Sequence, residues 1–88
     1  MQNQPTHTHT PDDVYPPGEH MTTIRDAMRI VSDWTARYSP VPTDDVIDAV
    51  ARALVQHCGG FTDRGCALTS ELGESFDLDA AIARAEGR

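Results

Sequence analysis

The fold is decided by residues 24–58, which read IRDAMRIVSDWTARYSPVPTDDVIDAVARALVQHC. Apolar residues recur there every three or four positions, the spacing that places side chains on one face of an α-helix. Ser39-Pro40-Val41-Pro42 interrupts the pattern, because proline cannot continue a helix. The stretch therefore predicts two helices, Ile24–Tyr38 and Asp44–Cys58, joined by this breaker.

Local signals mark the starts of both helices and the end of the second. Thr23 can cap the first helix, and Asp26, three residues later, completes a capping-box pattern. Thr43 can cap the second helix, and Gly59-Gly60 is typical of a helix stop. The second helix is therefore marked at both ends.

The two helices differ in how much of their circumference is apolar. On the first helix, apolar side chains occupy one arc and charged side chains the other. On the second helix, apolar side chains cover most of the circumference and leave only a narrow polar strip of Asp45, Asp48, Arg52 and Gln56. Such a helix must be covered on two sides, so we expect it at the centre of the domain.

The C-terminal part should cover the second side of that central helix. Leu68 and Leu72 favour a short helix within 62–72, and Ile82 with its neighbouring alanines favours another within 76–86. No strand pattern competes with these helices. The expected fold class is all-α: a small bundle of two longer and two short helices with a disordered N-terminal tail.

The tail is assigned to residues 1–20, which contain four prolines and almost no apolar side chains. Such a segment cannot offset the entropy lost on ordering. The helical domain is assigned to residues 21–88. A domain this small buries little apolar surface, so burial against a partner would be a natural supplement to its stability.

Charge and composition disfavour several classes of function. The formal net charge is −7, which repels the phosphates of nucleic acids and anionic membranes. No apolar run approaches the roughly 18 residues of a membrane span, and no secretory signal pattern is present, so we expect a cytoplasmic protein. All seven basic residues are arginine, a bias associated with GC-rich coding sequence that favours a bacterial or phage source.

His57, Cys58 and Cys66 are the soft metal ligands of the helical region. A structural zinc site takes four ligands, usually in closer pairs, and free cysteines commonly pack as small apolar residues. His57 has no serine or cysteine nucleophile with an orienting carboxylate at a recognisable spacing. We therefore expect no catalytic residue, and structural roles for all three side chains.

Asp44, Asp45 and Asp48 form the remaining cluster that could bind a metal, since carboxylate oxygens suit Mg²⁺. Asp44 and Asp45 also lie where the helix dipole favours acids, and Asp48 lies in the polar strip. Capping and solvation explain them more simply, so we expect no metal site and no cofactor.

Residues 59–75 read GGFTDRGCALTSELGES. A short helix ending in Leu72-Gly73, followed by a polar residue and a capping Ser75, resembles the middle of a bacterial helix-turn-helix. The resemblance implies a DNA-binding regulator whose recognition helix follows Ser75. Asp77 and Asp79 stand in that helix where groove readers place Arg, Lys, Asn or Gln, so a protein-binding relative is also implied.

Our preferred hypothesis is a small acidic protein-binding module, accessory or regulatory, without catalytic activity and with phage derivation as one option. Its partner would be another protein or a second copy of the chain, and a degenerate helix-turn-helix DNA-binding regulator is the alternative. Trp34 has two interpretations, the centre of the core or a binding hot spot. The expected partner-binding residues combine the aromatics and arginines of the first helix with acids near the C-terminus: Trp34, Tyr38, Arg25, Arg29, Glu71, Glu74 and Asp77.

Overall fold

The structure is a computed structural model that describes residues 19–87. It is mostly helical, with a small two-stranded sheet. The elements in chain order are β1 (Glu19–Met21), α1 (Ile24–Thr35), α2 (Asp44–His57), β2 (Cys66–Leu68), α3 (Ser70–Ser75) and α4 (Leu78–Ala85). None of the helices in this part of the chain has the length and apolar character that crossing a membrane requires.

The predicted capping box begins α1. Thr23 Oγ1 accepts the backbone N–H of Asp26 at 3.2 Å, and Asp26 Oδ2 accepts the N–H of Thr23 at 3.2 Å. Asp26 Oδ2 also accepts the N–H and the hydroxyl of Thr22. These hydrogen bonds, those from Thr22 first, lower the pKa of the Asp26 carboxyl. The start of α1 is thus held by groups within four residues of one another.

The end of α1 comes three residues earlier than the prediction of Ile24–Tyr38. Thr35 Oγ1 donates to the carbonyl oxygen of Val31 at 2.9 Å, and the N–H of Tyr38 then bonds Thr35 O at 2.9 Å, only three residues back. This tighter turn ends the helix before Tyr38.

α2 matches its predicted start and ends one residue earlier than expected, at His57. Thr43 Oγ1 accepts the N–H of Val46 at 3.4 Å. At the other end, the N–H groups of Gly59 and Gly60 bond the carbonyls of Gln56 and Val55, and Gly59 has a φ of +93°. This is a Schellman end, which needs a left-handed residue and so favours glycine.

The prediction that α2 is central is confirmed, because it packs against both α1 and α4. Its buried side chains are Val46, Ile47, Val50, Ala51, Leu54 and Val55.

The sheet corrects the expectation of an all-α fold. β1 and β2 pair antiparallel, with Glu19 opposite Leu68 and Met21 opposite Cys66. Met21 and Leu68 are fully buried, so the sheet contributes to the core. Glu19 and His20, assigned to the tail, belong to β1, and the rest of the predicted tail, residues 1–18, lies outside the described residues.

The helix expected within 62–72 is wrong over most of its length, because Cys66–Leu68 forms strand β2. The helix in this region, α3, begins only at Ser70, where Thr69 Oγ1 caps it by accepting the N–H of Leu72 at 3.2 Å. α4 lies inside the expected 76–86 and begins at Leu78, and Asp77 caps it because Asp77 Oδ1 accepts the N–H of Ala80 at 3.0 Å. Leu72-Gly73 therefore lies inside α3 and does not end it, unlike the turn of the helix-turn-helix pattern.

Candidate protein-binding groove

A groove of about 670 Å³ runs between α2 and α4. Alanines from both helices line it: Ala49, Ala53, Ala80, Ala81 and Ala85. Ala49 and Ala53 are four residues apart and exposed, so they present one face of α2 to solvent. Because each alanine side chain is a single methyl group, the two helices leave an open trough between them.

Aromatic and polar side chains complete the groove. His57 and Phe76 line it, and their ring centroids are 5.4 Å apart in a T-shaped arrangement. Gln56, Asp77 and Arg84 supply its polar groups. Surfaces that bind a helix combine apolar side chains with a few polar groups, as this lining does.

Trp34 lies in the core beside this groove. It is 8 % exposed, and its ring centroid is 6.2 Å from that of Phe76. The structure therefore places Trp34 in the packing of the domain, where it supports Phe76, which lines the groove.

His57 is brought close to a serine, which the sequence spacing did not reveal. Its Nε2 lies 2.8 Å from Ser75 Oγ and 3.0 Å from the carbonyl oxygen of Leu72. A carbonyl can only accept, so Nε2 must carry the hydrogen in this arrangement. Ser75 Oγ itself donates to Leu72 O at 3.0 Å, which leaves its lone pair to accept from His57. With Nε2 as the donor, these contacts hold the end of α2 to α3.

The predicted partner-binding residues are distributed over several elements. Among the residues described, Asp77 is the one of the seven that lines the groove. Arg25 and Arg29 are exposed on α1, and Glu71 and Glu74 are exposed on α3. The surface suggested by the sequence is therefore not gathered into this groove.

Two of the predicted residues are engaged within the domain. Arg29 forms ion pairs with Glu19 and, at 3.7 Å, with Asp33. Tyr38 is half-buried and donates to Asp79. Both side chains thus have intramolecular partners.

The partner-binding residues expected from the sequence did not include the alanines or Arg84. On a helical wheel Ala53 falls with the apolar side chains of α2, yet it is exposed. The available signal was the pair Ala49 and Ala53, at helical spacing beside the polar strip, together with the pair Ala81 and Ala85. Joining the two pairs required knowing that α2 packs against α4.

The cysteines are free, and Cys66 Sγ donates to the carbonyl oxygen of Cys58 at 3.7 Å. Burial, followed by the hydrogen bond and charge of Cys66, raises the pKa of the Cys58 thiol to about 12. No group of three or more potential metal ligands occurs within residues 19–87. Cys58 is therefore a neutral, partly buried thiol.

No protein-family model, no curated protein and no solved structure matches the chain. Its function must therefore be inferred from its own residues.

Proposed function

We propose that this chain is a small acidic protein-binding module, accessory or regulatory, that works without catalysis. The observation that supports this most is the alanine-lined groove between α2 and α4, with Asp77 and Arg84 among its lining residues. Methyl groups allow another backbone to approach closely, and the opposite charges can orient it. The occupant that suits such a groove is an amphipathic helix of a protein partner.

In this proposal, charged side chains outside the groove make additional contacts with the partner. Arg25 on α1 and the acids Glu71 and Glu74 on α3 are exposed. Exposed charges of this kind affect the rate and selectivity of association more than its strength. Trp34 and Tyr38 would act indirectly, through the packing beneath Phe76 and beside α4.

The alternative, a DNA-binding regulator, has less support. α4 would be its recognition helix, and that helix is capped by Asp77 and carries Asp79 in its first turn. Both carboxylates would lie near phosphates and base acceptors, which they repel. Salt-sensitive binding to duplex DNA would favour this alternative over the proposal.

The test is affinity purification of tagged chain from its source organism, comparing Ala53→Arg with Ala36→Arg. Both alanines are exposed, but only Ala53 lines the groove. The same bulky, charged group is thereby placed inside and outside the candidate site. Circular dichroism should show that both variants retain the wild-type helix content.

We expect Ala53→Arg to abolish recovery of a stoichiometric protein partner, and Ala36→Arg to retain it. Equal recovery by the two variants would exclude the groove as the site. A parallel Arg25→Glu variant distinguishes the exposed α1 surface from the groove, because Arg25 is exposed and does not line the groove.

A further inference from the structure

We infer that the occupant of the groove is a second copy of this chain, with α4 of each copy lying antiparallel along α4 of the other. This inference rests on the proposed function, because it names the partner of the same groove. It follows from the positions of two opposite charges, the small residues between them and the open face of α2.

The charges on the groove side of α4 are self-complementary. Asp77 and Arg84 both line the groove and are seven residues apart, close to two helical turns. They therefore share a face, about 10.5 Å apart along the helix axis. A two-fold axis through their midpoint reverses the direction of α4 and places each Asp77 opposite the other copy's Arg84.

Both charged groups have capacity for this contact. Asp77 Oδ1 accepts the N–H of Ala80 at 3.0 Å, which leaves Oδ2 for a further donor. Arg84 is exposed and makes no ion pair within residues 19–87. An isologous contact would give each Arg84 a carboxylate and form the same pair twice.

The residues at the midpoint permit close approach. Ala80 and Ala81 lie there, so two helices can cross with only methyl groups between their backbones. The exposed Ala49 and Ala53 of α2 then face the incoming α4 of the second copy. The arrangement brings α2, α4 and their two symmetry mates together as four helices, and it covers methyl groups that each copy exposes alone.

A second copy matches the charges of the groove without any further residues, because the same chain supplies both the acid and the base at matching positions. A different protein would have to present its own acid and base with this spacing on one helix. Binding of a different protein, or of nothing, is therefore an outcome that the experiment must separate from self-association.

The experiment is sedimentation equilibrium of the full chain over a wide concentration range, with Arg84→Glu and Arg37→Glu. We expect the wild type to dimerise. Arg84→Glu should raise the dissociation constant of the dimer at least tenfold, because it places a glutamate opposite Asp77 at both ends of the contact. Arg37 is exposed and does not line the groove, so Arg37→Glu makes the same charge change elsewhere and should leave dimerisation unchanged. Asp77→Asn keeps a good helix cap and removes only the attraction, so it should weaken the dimer by a smaller factor.

Mixing two variants of opposite charge tests the proposed pairing directly. Arg84→Glu and Asp77→Lys each oppose like charges in their own dimers, but a mixed dimer pairs opposite charges at both ends. We expect the mixture to recover dimer that neither variant forms alone. A wild-type chain that stays monomeric, or a dimer insensitive to Arg84→Glu, would overturn the inference.

Failure of the inference and failure of the proposed function give different results. A monomeric wild type whose protein partner is lost with Ala53→Arg retains the proposed function and assigns the groove to a different protein. A dimer that persists in Ala53→Arg, together with unchanged partner recovery, removes the groove from both proposals.

Discussion

The hydroxyl of Tyr38 donates a hydrogen bond of 2.7 Å to Oδ1 of Asp79, 41 positions later in the chain. The bond joins the segment that follows α1 to the first turn of α4. It lies beside a hollow of about 450 Å³ between α4 and the linker that contains Pro40 and Pro42. Since α4 forms one wall of the candidate groove, this contact helps to hold that wall in place.

Replacing Tyr38 with Phe should lower the free energy of unfolding by about 1 kcal/mol, the usual net contribution of one hydrogen bond. The ring is retained, so packing is preserved and only the hydroxyl is lost. Urea unfolding followed by circular dichroism measures the change. Asp79→Asn is the companion variant and should be less destabilising, because an amide oxygen can still accept the bond. No change in the urea midpoint of Tyr38→Phe would contradict this contact.

Titration of Tyr38 should affect stability at high pH. Burial, followed by the hydrogen bond to Asp79 and its negative charge, raises the pKa of Tyr38 from 10.0 to about 12. The folded chain therefore holds the proton more tightly than the unfolded chain. The associated stability is fully present below pH 10.0 and is lost as pH rises toward about 12.

Absorbance titration of tyrosinate in a Tyr15→Phe variant, where Tyr38 is the remaining tyrosine, should show this raised pKa. The same variant unfolded in urea should titrate near the ordinary value. A native titration that coincides with the unfolded one would refute the prediction.

Gly65 should tolerate alanine less well than Gly59 does. Both have positive φ, +85° and +93°, so both substitutions carry backbone strain of about 1–2 kcal/mol. A Cβ on Gly65 would also lie 2.8 Å from the carbonyl oxygen of Met21, whereas a Cβ on Gly59 meets nothing within 4 Å. Because Met21 pairs with Cys66 in the sheet, its backbone cannot move without disturbing β1.

Urea unfolding of Gly65→Ala and Gly59→Ala should therefore show a larger loss for Gly65→Ala, by about 1 kcal/mol or more on the scale of core overpacking. Equal losses would mean that β1 can move away from residue 65 at little cost.

His57→Phe should lower the free energy of unfolding by about 1 kcal/mol, because it removes the N–H donor to the Leu72 carbonyl but keeps a ring beside Phe76. Ser75→Ala leaves that donor and acceptor in place and should cost less. Thermal or urea unfolding of the two variants measures the difference. A larger loss with Ser75→Ala would show that the serine, rather than the carbonyl, is the main partner of His57.

The direction of the His57 hydrogen bond predicts that Ser75 is not an activated nucleophile. A fluorophosphonate probe, which modifies activated serines, should leave the folded chain unlabelled. Labelling at Ser75 that is lost in His57→Phe would overturn both the assigned proton position and the absence of catalysis in the proposed function.

Cys58 should react slowly with alkylating reagents while the domain is folded. Its pKa of about 12 leaves a very small thiolate fraction at pH 8, and the thiolate is the reactive form. We expect alkylation at least about a hundredfold slower than in the urea-unfolded chain, where the pKa returns toward about 8.5. Mass spectrometry of the peptide that contains Cys58 follows the rate, and native and unfolded rates within tenfold of each other would contradict the raised pKa.

The boundaries show how far local chemistry reaches. Thr23 and Thr43 were predicted as caps because a cap needs only a hydroxyl and an N–H three residues later. The end of α1 was placed too late because the apolar period continues to Tyr38. Tyr38 lies beyond the helix, and its hydroxyl donates to Asp79, which is too distant in the sequence for a local pattern to reveal the contact.

The candidate groove could not be predicted from the sequence for a related reason. Alanine pairs at helical spacing are common in any helix, and the pairs on α2 and α4 gain meaning only when the two helices pack side by side. The acids and aromatics chosen from the sequence were the chemically prominent residues. The groove is formed mainly by the least prominent ones.

By itself, the sequence determined the two long helices, where each begins and that α2 is central. Those properties depend on hydrogen bonds and apolar spacing within a few residues. Only the tertiary structure decided that 19–21 pairs with 66–68 and that α2 and α4 enclose a groove. A three-residue strand is too short to show a period, and its partner is chosen by contacts between segments that are distant in the chain.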